Sequence, residues 1–268
     1  VTDVGWKARP LVEGARVVSV VAALSRSLYV DVEGEIVWLA PPGSTLHGRT
    51  IVVREIPDVP GAARLGASFD LAGAREWRPP ARAASVSHGV VASAGRRLAR
   101  TIEQAGRPDG FGTLLVGGSP AFPLDRAAGD ARSFLAACAR DDARAATALA
   151  ERLLGLGPGL TPAGDDLVGG AFFGLITSGR GATPSWRDAA DAVRAHAPRR
   201  THRISAALLG DLLDGEGYAP LHDVAGALAR RDADAALEAA TRLVRIGHSS
   251  GWDLLAGFLG ALGTLADS

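Results

Sequence analysis

The stretch GLGPGLTPAGDDLVGG, Gly155 to Gly170, decides how the rest of the chain is read. Gly155, Gly157, Gly159 and Gly164 crowd into its first part. Glycine reaches positive φ and lets a ligand come close to the backbone. Thr161-Pro162 reads as a helix start, with Thr161 at the N-cap and Pro162 in the first helical position. The first-turn amides of a helix have no partner inside it, so a phosphate or carboxylate site is expected here. Asp165 and Asp166 fall in that same turn. Either one alone is explained by the helix dipole, an effect of about 0.3–1 kcal/mol. Together they repel a bound anion unless something intervenes. Two arrangements fit: a Mg²⁺ ion bridging Asp165, Asp166 and a phosphate, or one aspartate held by backbone amides while the other receives a substrate N–H. Gly169, Gly170 and Gly174 follow on the helix. Each costs about 1 kcal/mol relative to alanine in a helix interior, so they are read as points where another backbone packs close.

A second stretch repeats the first. GHSSGWDLLAG, Gly247 to Gly257, shares the pattern Gly-x-Asp-Leu-x-x-Gly, with Gly251 set on Gly164, Asp253 on Asp166 and Gly257 on Gly170. Two helices are then expected to start alike and to present their N-termini to one pocket. Gly157, Gly159, Thr161 and Gly164 from the first stretch, and Gly247, Ser249, Ser250, Gly251 and Asp253 from the second, are the candidate substrate-binding residues. His248, set among glycine and serines, is a candidate general acid or base. Between the two stretches, Thr201 is expected to cap a helix whose first turn carries Arg203 and Ser205. Arg203 is the candidate cation for a carboxylate or phosphate, and Ser205 a neighbouring binding group. The candidate catalytic set is Asp165, Asp166, Arg203 and His248.

Outward from these motifs the pattern is helical. Ala131–Leu154, Asp165–Thr177, Ser185–Ala197, Thr201–Leu213, Leu221–Arg230, Asp232–Arg245 and Gly251–Ala266 are expected helices, divided by Gly and Pro. Ser85–Ala105 also fits a helix. Thr113–Val116 reads as a short buried strand or a loop. The first eighty residues differ: Ala15–Ala23, Ser27–Val32, Glu35–Leu39 and Thr50–Arg54 read as strands, with Glu33-Gly34 as a tight hairpin turn. Gly43–Gly48, which contains His47, reads as a loop between strands or a cover over the pocket. The run Arg78-Pro79-Pro80-Ala81-Arg82 marks the boundary. The expected class is α+β: a small β-sandwich or barrel over residues 1–80, then a mainly helical domain over 81–268.

Composition narrows the function. Apolar residues make up 47% of the chain, enough for a real core, and the net charge of zero lacks the basic excess of a general nucleic-acid binder. No apolar run approaches the ~18 residues of a membrane span, and the first residues lack a signal peptide's apolar core, so a cytoplasmic location without membrane partners is expected. Lys7 is the only lysine. A P-loop or Schiff-base lysine beyond it is therefore excluded, and side-chain cations near the motifs are arginine or histidine. Cys138 is the only cysteine and sits in an apolar run, which suits a buried thiol and excludes cysteine metal clusters. His88, His196 and His222 have no neighbours that suggest a metal site.

The stretch Gly155–Gly170, the run Thr201–Ser205 and the stretch Gly247–Gly257, in that order, resemble the AllH-like bacterial family associated with oxamate carbamoyltransferase. The resemblance covers about Gly155 to Gly260; Ala163 departs from it where the family more often has serine. It implies a carbamoyltransferase-like enzyme or subunit. Such a protein handles phosphate or carbamoyl phosphate and a small carboxylate of the oxamate or oxalurate type, in purine and allantoin catabolism. It further implies a small anionic substrate and other carbamoyltransferase subunits as partners, with homo-oligomerisation open. The sequence points to no definite cofactor, with Mg²⁺ at Asp165 and Asp166 as the one candidate. Two other classes remain beside it: a Mg²⁺-dependent phosphotransferase or hydrolase, and a noncatalytic small-molecule-binding subunit.

Overall fold

In the computed structural model, residues 1–56, 63–81 and 87–265 are described. Contacts divide the chain into two compact units, Val1–Pro80 and Ala81–Ser268. The first is built on one seven-stranded sheet curled into a half-barrel, in the order β6-β2-β3-β4-β5-β1-β7. Its strands are β1 (Asp3–Gly5), β2 (Ala15–Ala23), β3 (Leu28–Val32), β4 (Glu35–Ala40), β5 (Thr50–Val52), β6 (Arg64–Ser68) and β7 (Arg75–Trp77), with a short helix α1 (Ala8–Val12). Pairing is antiparallel except at β4–β5 and β1–β7. The β3–β4 hairpin turns at Glu33 and Gly34, both at positive φ, as a two-residue turn between right-twisted strands requires. The Asp31 carboxylate accepts from the Gly34 amide at 3.0 Å. Val4, Val30, Val37 and Ile51 lie in this unit's core. The Gly43–Gly48 segment is an ordinary turn of the unit. His47 is buried, and its ring Nδ1 accepts from the Arg49 amide.

The second unit carries α2 (His88–Ala99), α3 (Ala128–Ala139), α4 (Ala143–Leu153), α5 (Ala163–Thr177), α6 (Pro184–Arg200), α7 (Arg203–Leu213), α8 (Ala219–Arg230), α9 (Ala233–Leu243) and α10 (Ser250–Ala261). The expected helix start at Ser85 and helix end at Ala266 lie outside the described residues. Two expectations are corrected. Thr113–Val116 belongs to a 3-10 turn, Gly110–Val116. Ala131–Leu154 is two helices: Asp141 takes positive φ, and Asp142 caps α4 by accepting from the Ala145 amide. Asp141 is fixed there because the Trp186 indole and the Arg180 guanidinium both donate to it, which holds its carboxyl below the usual range. Cys138 is buried, and burial pushes its thiol well above the ordinary range.

α5 and α10 are apolar almost all round, as befits helices enclosed by others. They cross through glycine. A Cβ on Gly170 would collide with the Leu254 carbonyl, and one on Gly257 with the Leu167 carbonyl. The contact is reciprocal, since Leu167 and Leu254 hold matching places in the shared pattern. The match extends well beyond that pattern. Asp142 and Asp232 cap α4 and α9 identically. The Asp142 amide bonds the Ala137 carbonyl as Asp232 bonds Ala227. The amides of Leu156 and Ile246 bond Leu153 and Leu243, and those of Gly164 and Gly251 bond Leu156 and Ile246. The helical unit therefore repeats one set of caps and turns in two three-helix modules, α3–α5 and α8–α10, whose α5 and α10 meet reciprocally. The copies differ in the loop before the last helix, which runs over residues 157–162 in the first and only 247–249 in the second.

Candidate functional site

The start of α5 is built differently from the sequence expectation. Thr161 is not the N-cap. Pro162 occupies that place in an extended conformation, and its carbonyl accepts from the Asp165 and Asp166 amides. The Thr161 hydroxyl instead meets the Ser250 hydroxyl at 3.0 Å, across from the other module. The first-turn amides are also less open than expected, because Gly164 donates to Leu156 at 2.9 Å. That turn needs glycine: a Cβ on Gly164 would collide with the Leu153 carbonyl. Gly157 takes positive φ beneath the Ala163 amide, and Gly159 takes positive φ on the exposed outer part of the loop.

Asp165 is buried and fully engaged. Its Oδ1 accepts from the Gly155 amide at 2.7 Å, and its Oδ2 accepts from the Ser205 hydroxyl at 2.6 Å and from the Thr201 hydroxyl. Three donors thus fix it between the chain leaving α4 and the start of α7. Thr201 was expected to cap α7. Its hydroxyl serves Asp165 instead, and His202 holds the N-cap position. Among the described residues, no group of three or more His, Cys, Asp or Glu side chains is placed to hold a metal ion. Both Asp165 oxygens accept from the protein, whereas Asp166 points to the other module.

The start of α10 mirrors that of α5. Gly251 donates to Ile246 at 3.1 Å, Asp253 donates to Ser249 at 2.9 Å, and a Cβ on Gly251 would collide with the Leu243 carbonyl. In place of Asp165 stands Trp252. This helix start is held by the 3-10 turn at Gly110–Val116. The Phe111 amide donates to Asp253 Oδ1 at 2.6 Å. Gly110, at positive φ, leaves no room for a Cβ beside that carboxylate, and a Cβ on Gly112 would press on the Trp252 ring. Residues 109–112 were not singled out from the sequence. The only signal there was Asp-Gly-x-Gly in a region with no clear periodicity.

Asp166 and Asp253, matched by the pattern, are both incompletely partnered carboxylates. Asp166 is 6% exposed and Asp253 is 0% exposed, and Oδ2 of each has no hydrogen-bond partner in the protein. Burial, and then the charge of Asp253, push the Asp166 carboxyl well above the usual range; the Ser250 and Thr161 hydroxyls act in the opposite sense. Burial raises Asp253 to about 7, against the opposing hydrogen bonds from Phe111 and Ser249. Both carboxyls are therefore held toward the protonated form, by burial first and, at Asp166, by the Asp253 charge as well.

The remaining candidates lie around these. Gly247, at positive φ, opens the loop before α10. His248 is on the surface, 97% exposed, with Nε2 3.4 Å from Oδ2 of Asp109, whose Oδ1 accepts from the Gly110 amide. Arg203 opens α7 on the exposed side. His222 is a core residue, its Nε2 accepting from the Gly217 amide with its ring edge-on to Phe173. The structure thus brings together Thr161, Asp166, Ser249, Ser250 and Asp253, and gives Asp165 and Ser205 to one supporting network.

Among the described residues, no helix is long and apolar enough to cross a membrane. No curated protein and no solved structure matches the chain. A family model described as oxamate carbamoyltransferase subunit AllH does match, over residues 153–262. That span runs from the end of α4 through α10 and includes both helix starts. Over residues 153–262, rather less than half of its length, the chain is similar to the family of the oxamate carbamoyltransferase subunit AllH.

Proposed function

We propose that this chain is a carbamoyltransferase subunit that binds its small substrate between the starts of α5 and α10. One observation carries the reading: the family match and the two incompletely partnered carboxylates fall in the same segment. Ser249, Ser250 and Thr161 surround the pair as adaptable hydroxyl donors. Arg203 and the exposed loop at Gly157–Gly159 are the groups offered to phosphate or to a substrate carboxylate. Preorganised donors aimed at developing charge supply the catalysis such a transfer needs. The chemistry is movement of a carbamoyl group between a small ureido acid and phosphate, with partner subunits completing the enzyme.

The second reading, a noncatalytic binding subunit, has its own observation. Gly164, Gly170, Gly251 and Gly257 each sit where a Cβ would strike a backbone carbonyl, so packing alone explains much of both motifs. Thermal-shift titration with oxamate, oxalurate and carbamoyl phosphate, followed by an assay of phosphate-dependent oxamate release from oxalurate, separates the two. The assay is run on the chain alone and co-expressed with its genomic neighbours. The subunit reading expects a ligand-induced rise in Tm and turnover once partners are present. Stabilisation with no turnover in any combination supports the binding role, and no stabilisation by any of the three ligands removes both.

A further inference from the structure

The polarity of the two helix starts follows from which groups are used up. The sequence suggested an anion at the helix starts, but the Gly164 and Gly251 amides are already bonded to Leu156 and Ile246. What remains are Oδ2 of Asp166 and Oδ2 of Asp253, two buried oxygens with no protein partner, at matching positions of the two modules. Among the described residues, no arginine, lysine or histidine makes an ion pair with either. An oxyanion placed there meets negative charge and finds no cation. A group carrying both a hydrogen-bond acceptor and an N–H donor suits a carboxyl beside a carboxylate.

We infer that Asp166 and Asp253 are the specificity-determining pair for the –C(=O)NH2 end of a small ligand, one as carboxylic acid donating to its carbonyl oxygen and the other as carboxylate accepting from its N–H. This rests on the reading that substrate enters between the two helix starts, and it adds which end of the substrate points inward. The carboxylate or phosphate end then faces the exposed loop, where Gly159 sits. The charged groups facing the pair are Asp165, next to Asp166 on α5, and Asp109, beside Asp253 on the 3-10 turn; both favour retention of a proton there. His248 lies beyond Asp109, on the surface.

The test is calorimetry on the full chain with oxamate, with oxalate, which replaces the amide by a second carboxylate, and with inorganic phosphate. Wild-type protein is expected to bind oxamate at least tenfold tighter than oxalate near pH 6.5. That affinity should fall at least tenfold by pH 9, as the pair loses its proton. Asp166→Asn supplies the donor permanently, so oxamate affinity should be kept within a few-fold and its pH dependence flattened. Asp166→Ala should lose at least tenfold at every pH. If either variant does not fold, Ser250→Ala serves: removing a hydroxyl that favours ionised Asp166 should move the fall in affinity to higher pH. Oxamate bound by wild type with no pH dependence, or oxalate bound equally well, overturns the inference and leaves the subunit reading standing. So does Asp166→Ala binding oxamate like wild type. Failure of wild type to bind oxamate, oxalurate or carbamoyl phosphate removes the subunit reading, and the inference with it.

Discussion

The starts of α5 and α10 share one backbone frame and secure it in different ways. In both, a glycine amide reaches back to the preceding turn, and a second glycine two turns later admits the partner helix. At α5 the residue after the first glycine is Asp165, which gathers Gly155, Thr201 and Ser205. At α10 the same place holds Trp252, and the anchor comes from the turn at Gly110–Val116, through Phe111 to Asp253. The comparison separates two acids that look alike in sequence. Asp165 has no counterpart in the second module and serves the architecture of the first. Asp166 and Asp253 are present in both modules, and both keep an open oxygen.

The largest expected effect tests that separation by pH. Because the folded-state carboxyl of Asp253 is raised from 3.8 to about 7, its contribution to stability is full below pH 4 and lost as pH rises through 7. The loss is on the order of 4 kcal/mol for a shift of that size. Urea unfolding across pH 4–9 should show the decline, and Asp253→Asn should reduce it, the raised Asp166 carboxyl supplying the remainder. An unchanged pH profile in that variant would show that Asp253 does not carry the proton. Next come the reciprocal glycines: Gly170→Ala and Gly257→Ala should each cost about 3 kcal/mol or more, by similar amounts, since each Cβ meets a backbone carbonyl. A large cost at one and none at the other would break the reciprocity.

Asp165→Ala should cost about 2–3 kcal/mol, because three donors lose their acceptor. Its failure to destabilise would return Asp165 to the candidate site. Thr161→Val, which deletes the hydroxyl contact to Ser250, should cost about 1 kcal/mol by thermal denaturation. His248→Ala is expected to change stability by less than about 0.5 kcal/mol, as its side chain is in solvent. Any effect of that substitution should therefore appear in turnover alone.

The sequence revealed the elements that repeat a period strongly. Alternation and the Glu33-Gly34 turn located β2, β3 and β4, and the glycine–aspartate–leucine pattern located both helix starts. β1, β6 and β7 are three to five residues long and carry Gly or Arg, so no period could build up in them. The break between α3 and α4 was hidden because no Gly or Pro marks Arg140–Arg144. What stops the helix is the tertiary grip of Trp186 and Arg180 on Asp141. Adjacent Asp165 and Asp166 looked like one pair because sequence carries no direction. On a helix, neighbours point about 100° apart, so one turned to α7 and the other to α10. The repeated module showed only through its seven-residue motif, since elsewhere its copies share helix lengths and caps more than residues.

The reciprocal seating of Gly170 under Leu254 and Gly257 under Leu167 has the form of a self-complementary surface. Between separate chains, such a surface is the isologous interface of a homodimer. Here both halves of it lie on one polypeptide, so the closest contact of the helical unit forms at any protein concentration.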